Sequence, residues 1–152
     1  MSHVFLTGFM GAGKSTVGRL VAAELGWPFV DLDRAIEHRE GASVSSIFTD
    51  RGESEFRQAE HAALAALAAT GSSVIATGGG VVLREDNQTL LRQLGTVVYL
   101  SVTPEEAIAR LGDAGDRPLL AGGGLDAARA VLAARLAVYA ATADAVVDTV
   151  GR

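Results

Sequence analysis

The stretch Gly8-Phe9-Met10-Gly11-Ala12-Gly13-Lys14-Ser15 lies close to the start of the chain. It matches G-x-x-x-x-G-K-[ST], the pattern of a phosphate-binding loop (P-loop). The apolar run before it predicts a strand, and residues 14–25 predict an amphipathic helix. Glycines let backbone N–H groups turn toward a phosphate, and the N-terminus of the following helix attracts negative charge. The stretch therefore predicts a nucleotide-phosphate site.

Lys14 is the only lysine in the chain, because the twelve other basic residues are arginines. A lysine ammonium group is a compact, mobile point charge, whereas arginine presents a rigid planar fork. The only lysine of the chain thus stands at the position where a P-loop uses one. This favours a phosphate site over a chance glycine-rich turn.

The length and composition indicate a single domain over 1–152. The chain has 49% hydrophobic residues, which is enough for a substantial core. It has no cysteine, which excludes disulfides, thiolate metal sites and cysteine nucleophiles. We expect a cytoplasmic location with no signal peptide, since no basic segment followed by an apolar one precedes the first strand. The longest apolar run is too short to cross a membrane, and the net charge of −5 does not favour nucleic acid.

The apolar pattern and the helix caps predict alternating strands and helices. Strands are predicted near residues 3–7, 28–31, 73–76, 96–100 and 145–147. Helices are predicted near residues 14–25, 32–38, 43–48, 53–69, 86–94, 103–111 and 125–141. Strands separated by helices favour a parallel sheet covered on both faces, in the α/β class.

The ends of the predicted strands narrow the class of P-loop protein. A metal-binding aspartate normally follows a strand near the P-loop, and here only the second predicted strand leads into one, Asp31. We therefore expect Ser15 to bind Mg²⁺ directly and Asp31 to act on it through water. An aspartate on the second strand fits small-molecule kinases better than motor ATPases. A guanine-reading Asn-Lys-x-Asp loop would need a second lysine, so a GTPase is disfavoured.

Asp33 follows Asp31 by two residues, where the strand gives way to a helix. One interpretation is that Asp33 caps this helix. The other is that Asp31 orders the water shell of the metal while Asp33 takes a hydroxyl group of the substrate. The spacing leaves both open.

Two further patterns allow either a structural or a functional interpretation. Arg57 and Glu60 can form a surface pair along a helix, or Glu60 can aim the Arg57 guanidinium group at a planar carboxylate. Gly78-Gly79-Gly80 follows a predicted strand, either as a plain turn or as backbone that a ligand touches at the carboxyl edge of the sheet.

Three later arginines are also candidates. Arg117 lies in a glycine-rich segment and is expected to neutralise charge on a transferred group, as a lid arginine. Arg135 precedes Tyr139 by four residues on a predicted helix, where an exposed arginine is the alternative. Arg110 ends the preceding helix, whose C-terminus it could simply stabilise.

In order along the chain, these motifs resemble those of the shikimate kinase family. The matching pieces are the P-loop over 8–16 with Val17-Gly18, Asp31-x-Asp33, Gly52-Glu53-x-x-Phe56-Arg57, Gly78-Gly79-Gly80, Arg117-Pro118-Leu119-Leu120 and Arg135-x-x-x-Tyr139. The ordered set covers nearly the whole chain and is highly specific. The resemblance implies a three-layer P-loop NTPase fold like that of nucleoside monophosphate kinases. The implied parallel sheet has five strands in order 2-3-1-4-5, helices on both faces, substrate-binding helices over about 32–62 and a mobile lid over about 112–124.

The resemblance also implies an activity and a set of site residues. The activity is transfer of the ATP γ-phosphoryl group to the shikimate 3-hydroxyl, with Mg²⁺, in aromatic amino-acid synthesis. The implied catalytic residues are Lys14, Asp33 and Arg117. The implied ATP-binding residues are Gly11, Ala12, Gly13, Lys14, Ser15, Thr16, Arg110, Arg117 and Arg152. The implied shikimate-binding residues are Asp33, Arg57, Gly78, Gly79, Gly80 and Arg135.

Shikimate and ATP are thus the expected partners of a monomer that binds neither nucleic acid nor membrane. The family usually continues past Val147-Asp148-Thr149 into a final helix, which we expect this chain to lack. The alternatives are another small-molecule kinase such as a gluconate kinase, a non-catalytic shikimate-binding regulator, and a nucleotide switch or mechanical ATPase. The paired arginines and the glycine triplet argue against the first, and the intact P-loop and aspartate pair argue against the second. The missing guanine motif and the lack of an aspartate after a late strand argue against the third.

Overall fold

The computed structural model describes residues 3–8, 13–78, 80–103 and 124–148. The strands are β1 (His3–Thr7), β2 (Phe29–Asp31), β3 (Val74–Ala76), β4 (Gly95–Ser101) and β5 (Ala145–Asp148). The helices are α1 (Lys14–Leu25), α2 (Leu32–Glu40), α3 (Val44–Ala66), α4 (Glu85–Leu94) and α5 (Gly124–Thr142). Short 3₁₀ turns cover Leu67–Ala69 and Val81–Leu83. The predicted helix after residue 103 and the predicted lid lie outside the described residues, except that Gly124 begins α5.

All the strand pairs are parallel, and the sheet has the order β2-β3-β1-β4-β5. In the central strand, Phe5 lies opposite Ile75 of β3 and Val97 of β4. Parallel neighbours need a long crossover connection, which accounts for the helices between successive strands. This arrangement confirms the predicted five-stranded sheet and its order.

Both faces of the sheet are buried, because alternate residues of a strand point to opposite sides. Phe5 and Ile75 belong to the larger core cluster, together with residues of α2, α3, α4 and α5. Leu6 and Val74, their neighbours in sequence, pack with Ala22 of α1 on the other face. The helices therefore cover the sheet on both sides, as predicted.

Gly18 lets α1 pack closely on the sheet. A Cβ atom at this position would lie 3.1 Å from Phe29 Cδ1 and 3.2 Å from Leu6 Cδ1. Because α1 directly follows the P-loop, this close packing fixes the N-terminus of the helix at the carboxyl end of β1. A larger residue at Gly18 would displace that terminus.

The α3 helix consists of two segments that meet at Gly52, whose φ of 87° and ψ of 169° are non-helical. A positive φ of this size favours glycine. Ser43 caps the first segment, since its Oγ accepts a hydrogen bond from Ser46 N at 3.1 Å. The sequence therefore predicts the break correctly. The first segment, however, continues to Gly52 and does not end at the predicted residue 48. The predicted end at residue 69 is wrong by three residues, because the last turn is 3₁₀.

None of the helices in the described part of the chain combines the length and the apolar character that a membrane-crossing segment requires.

Candidate active site

The two described ends of the P-loop have backbone conformations that favour glycine. Gly8 has a φ of 138° and Gly13 a φ of 90°. Gly13 is the N-cap of α1, and Lys14 Nζ donates a hydrogen bond to the Gly8 carbonyl oxygen at 2.6 Å. The N-terminus of α1 presents backbone N–H groups and the positive end of the helix dipole, and both attract an anion. The ammonium group and the helix terminus together form a positive site that suits phosphates.

Asp31 joins β2 directly to α2. Its carboxylate accepts hydrogen bonds from the backbone N–H groups of Asp33 at 3.0 Å and Arg34 at 3.4 Å, so Asp31 is the N-cap. The interpretation in which Asp33 caps this helix is therefore wrong. The metal role of Asp31 stays a prediction, and the carboxylate is held at the carboxyl end of its strand.

Gly78 and Gly80 follow β3 and lie directly against charged side chains. A Cβ atom on Gly78 would lie 3.0 Å from both Asp33 Oδ1 and Glu60 Oε2. A Cβ atom on Gly80 would lie only 2.6 Å from Arg57 Cζ. These positions therefore need glycine because charged groups of α2 and α3 approach the turn. A turn that only connected two elements would not need glycine for this reason.

Arg57 and Glu60 form a buried ion pair. Arg57 Nη1 donates to Glu60 Oε1 at 3.0 Å, and Arg57 Nη2 lies 3.3 Å from Glu53 Oε2. Glu60 is fully buried and Arg57 is 9% exposed, so the surface-pair interpretation is wrong. The Arg57 guanidinium carbon also lies 5.9 Å from the ring centroid of Phe48 and 5.2 Å from that of Phe56. Contacts from several sides thus fix this guanidinium group.

Arg135 reaches the same cluster from α5. It is only 6% exposed, which excludes the exposed-arginine interpretation. It donates a hydrogen bond to the Tyr139 hydroxyl, and its charge acts on the Glu60 carboxyl group. Its Nη1 is buried and has no hydrogen-bond acceptor within the described residues. A buried donor without a partner is costly, and a ligand carboxylate would satisfy it.

Glu60 connects these groups, although the sequence indicated it only as the partner of Arg57. Burial raises the pKa of its carboxyl group, and so does the negative charge of Asp33, while Arg57 and Arg135 lower it. Its Oε2 is buried with no hydrogen-bond donor within the described part of the chain. In the sequence, only the spacing of three residues from Arg57 points to Glu60. Its burial in the structure is what shows that Glu60 belongs to the site.

We expect Glu60 to make stability depend on pH. Because its pKa is higher in the folded than in the unfolded protein, its contribution is fully present below about pH 4.3 and decreases as pH rises through the folded-state pKa. The unfolding free energy of the wild type should therefore fall relative to that of Glu60→Gln as pH rises. Urea titrations from about pH 4 to about pH 8 measure this, with Glu53→Gln as control at a half-exposed carboxylate. A difference independent of pH would contradict the expectation.

A cavity of about 280 Å³ opens beside Asp33, between the first turns of α2 and α3. Its walls are polar apart from one valine, and they are formed by Asp31, Asp33, Arg34, Glu37, Ser43, Val44 and Ser45. It is close to the lower size limit of small-molecule sites, so it suits part of a small polar ligand.

The predicted site residues are thus brought together at one edge of the sheet, except those that lie outside the described residues. The latter are Gly11, Ala12, Gly79, Arg110, Arg117 and Arg152. A parallel sheet with a phosphate loop after its central strand, and a charged polar site at the same edge, defines a P-loop small-molecule kinase.

The chain belongs to the shikimate kinase family, whose model matches residues 10–152. It is 50% identical over 147 residues to the shikimate kinase of Chromohalobacter salexigens, with 96% of this chain and 82% of that protein covered. It superposes on a shikimate kinase from Acinetobacter baumannii in complex with shikimate, with a TM-score of 0.94 and 37% identity. That match covers 98% of this chain and 84% of the other.

A gluconokinase from Sinorhizobium meliloti has a TM-score of 0.58 and 18% identity, and covers 99% of this chain and 84% of the other. That likeness shows a shared fold alone. The matches confirm the predicted family, fold class and enzyme class, an ATP-dependent kinase. They do not favour the gluconate kinase, regulator or switch alternatives.

Proposed function

We propose that the chain transfers the γ-phosphoryl group of ATP to the 3-hydroxyl of shikimate, which gives shikimate 3-phosphate and ADP. The observation that carries the proposal is the pair of buried arginines, Arg57 and Arg135, around Glu60. We call these two arginines the carboxylate clamp. Shikimate is a small polyhydroxylated carboxylate, and the relative from A. baumannii is described in complex with it. Two guanidinium groups supply the planar donors that a carboxylate requires.

Asp33 is the group that would meet the acceptor hydroxyl. Its Oδ1 lies beside Gly78 and the Glu60 carboxylate, at the open edge of the sheet. When the carboxylate of the substrate is held by the clamp, the ring position is fixed and a hydroxyl can donate to Asp33. The proton of that hydroxyl passes to the Asp33 carboxylate as the new oxygen–phosphorus bond forms, while the bond between the γ-phosphorus and the β,γ-bridging oxygen breaks and ADP leaves. Such transfer needs alignment and charge neutralisation more than covalent help.

The start of α1 would hold the phosphates of ATP. Gly13 and Lys14 supply the positive end of the helix and the ammonium group, and the described geometry supports this role. Gly11, Ala12 and Thr16 are proposed to add backbone contacts. Arg117 is proposed to neutralise charge from the lid, and Arg110 and Arg152 to lie against adenine.

Mg²⁺ is the metal that the donor set fits. The Ser15 hydroxyl and the Asp31 carboxylate are oxygen donors, and Mg²⁺ is usually held by one or two protein oxygens together with waters and substrate phosphates. The capping bonds to Asp33 N and Arg34 N hold the Asp31 carboxylate in place, which suits contact through water. When bound, the ion would neutralise charge on the β- and γ-phosphates.

Coupled measurement of ADP release, with and without shikimate, tests the proposed function. We expect release that depends on shikimate and is not supported by gluconate. ADP release that is independent of shikimate would contradict the proposal. Shikimate binding without turnover would instead support the regulator.

Gly80→Ala is expected to weaken shikimate binding and to lower stability, while ATP binding stays close to wild type. The new methyl group would meet the buried Arg57 guanidinium group, which can move away only by disturbing its ion pair with Glu60. A displaced guanidinium group would lose a charge-assisted contact, so we expect the dissociation constant for shikimate to rise about tenfold or more. Calorimetric titrations with shikimate and with ATP measure both effects. Equal affinity for shikimate in the variant and wild type would contradict the proposed position of Arg57.

We also propose that the protein is a cytoplasmic monomer that binds neither nucleic acid nor membrane. The net charge of −5 supports the expected lack of binding to nucleic acid and membrane, because polyanionic surfaces would repel the chain. Light scattering of the purified protein tests the oligomeric state.

A further inference from the structure

Arg84 lies just before α4 and contacts the backbone of the clamp. Its Nη1 donates to the carbonyl oxygen of Arg57 and to Gln58 Oε1, both at 3.3 Å. Its Nε and Nη2 donate to the two carboxylate oxygens of Asp86, at 3.0 Å and 2.6 Å. Such a two-point pair fixes the plane of a guanidinium group. Hydrogen bonding from Arg84 also lowers the pKa of the Asp86 carboxyl group, which favours its charged form.

Asn87 makes a second connection between α3 and the glycine turn. Its side chain is fully buried, and its Oδ1 lies 2.7 Å from Nδ1 of His61 on α3. Its Nδ2 donates to the carbonyl oxygen of Val81 at 3.0 Å. Val81 directly follows Gly80, so the two ends of one amide join α3 to the turn. Since Oδ1 can only accept, His61 Nδ1 carries the proton of this hydrogen bond.

We propose that Arg84 and Asn87 are positioning residues for the carboxylate clamp. They fix the spacing between α3, which carries Arg57, and the turn, which carries Gly80. That spacing has little tolerance, because a Cβ atom on Gly80 would lie 2.6 Å from Arg57 Cζ. A shift of α3 relative to the turn would therefore move the guanidinium group away from the substrate carboxylate. The inference rests on the proposed function, since the effect is measured with shikimate.

Arg84→Ala is the variant that tests this inference, because the Arg84 side chain is 31% exposed and its removal leaves no cavity in the core. We expect the KM for shikimate to rise about tenfold, within the roughly 10²-fold that a misplacement of about 1 Å can cost, while the KM for ATP changes less than about twofold. Arg84→Lys, which keeps the charge and a single donor nitrogen but not the planar fork of the two-point pair, should give a smaller rise. A role in folding alone would not raise the KM for one substrate selectively.

Arg92→Ala is the matched control. Arg92 also belongs to this part of the chain, on α4, and donates to a backbone carbonyl, that of Ala141, at 3.3 Å. Its removal should leave both KM values unchanged. The inference is overturned if Arg84→Ala has the same KM for shikimate as Arg92→Ala, or if its KM values for both substrates rise together. A wild type without shikimate-dependent ADP release would overturn the proposed function instead, so the two failures are distinguishable.

Discussion

Asp33→Asn is expected to abolish most of the turnover while Mg²⁺–ATP binding stays close to wild type. Asparagine keeps the shape of the side chain but cannot take the proton of the acceptor hydroxyl. Loss of a positioned base costs about 10²–10⁴-fold in rate. If Asp33 only orients the hydroxyl, the loss should lie near the lower limit, since a loose transition state needs little deprotonation. Measurement of kcat against Mg²⁺ concentration, with nucleotide binding measured separately, provides the test.

Asp31→Asn is the matched control for this change. Asparagine is as good an N-cap as aspartate, so the bonds to Asp33 N and Arg34 N can persist and α2 should begin where it does now. The variant therefore removes the charge near the metal without removing the start of the helix. We expect it to need more Mg²⁺ for half-maximal activity. If excess Mg²⁺ restores Asp33→Asn but not Asp31→Asn, the two roles are reversed.

The local parts of this molecule could be predicted from the sequence. The positive φ angles of Gly8 and Gly13 and the extent of α1 follow from a continuous pattern of glycines and apolar residues. The break in α3 follows from Gly52, whose positive φ no other residue adopts as easily. In both cases the residues that determine the local structure lie within a few positions of each other, so the local sequence is enough to predict it.

The capping of α2 shows where local reasoning fails. Asp31 and Asp33 stand in nearly the same sequence context, and either carboxylate can reach free N–H groups of the first turn. The choice depends on where β2 leaves the sheet, which its pairing with β3 determines. That pairing places Asp31 opposite Ala76, the last residue of β3, so the helix begins immediately afterwards.

The burial of the site residues also depends on contacts that are distant in sequence. Arg135 and Glu60 are buried where α5 and α3 both contact the Val81–Leu83 turn that follows Gly80, and no pattern within either helix shows this. Arg84 is 27 residues from Arg57, whose carbonyl oxygen it contacts. A sequence motif reports residue types and their spacing, whereas positioning residues of this kind are defined by the assembled fold.

Arg57→Ala and Arg135→Ala are each expected to weaken shikimate binding while ATP binding stays close to wild type. Each change removes a charge-assisted contact with the substrate carboxylate, worth about 1.5–3 kcal/mol. That corresponds to a rise in the dissociation constant of about 10-fold to 150-fold. Titration calorimetry with shikimate measures the effect. Arg51→Ala is the control, since Arg51 is on α3 but pairs with Glu40 at 2.7 Å.

The two variants should differ in stability, and this difference separates binding from folding. Removal of Arg57 leaves the fully buried Glu60 without its 3.0 Å partner, and breaking a buried pair in this way costs about 3–5 kcal/mol. Removal of Arg135 takes away a guanidinium group whose Nη1 has no acceptor within the described residues, so the folding cost should be smaller.

The double variant Arg57→Ala/Glu60→Gln distinguishes a role of Arg57 in binding shikimate from a role in neutralising Glu60. The glutamine amide at position 60 is neutral, so the double variant has no unpaired buried carboxylate there. Its stability should therefore be higher than that of Arg57→Ala, while its affinity for shikimate should stay low. Recovery of shikimate affinity together with stability would show that Arg57 serves only to neutralise Glu60. Unchanged affinity in both single variants would exclude the clamp altogether.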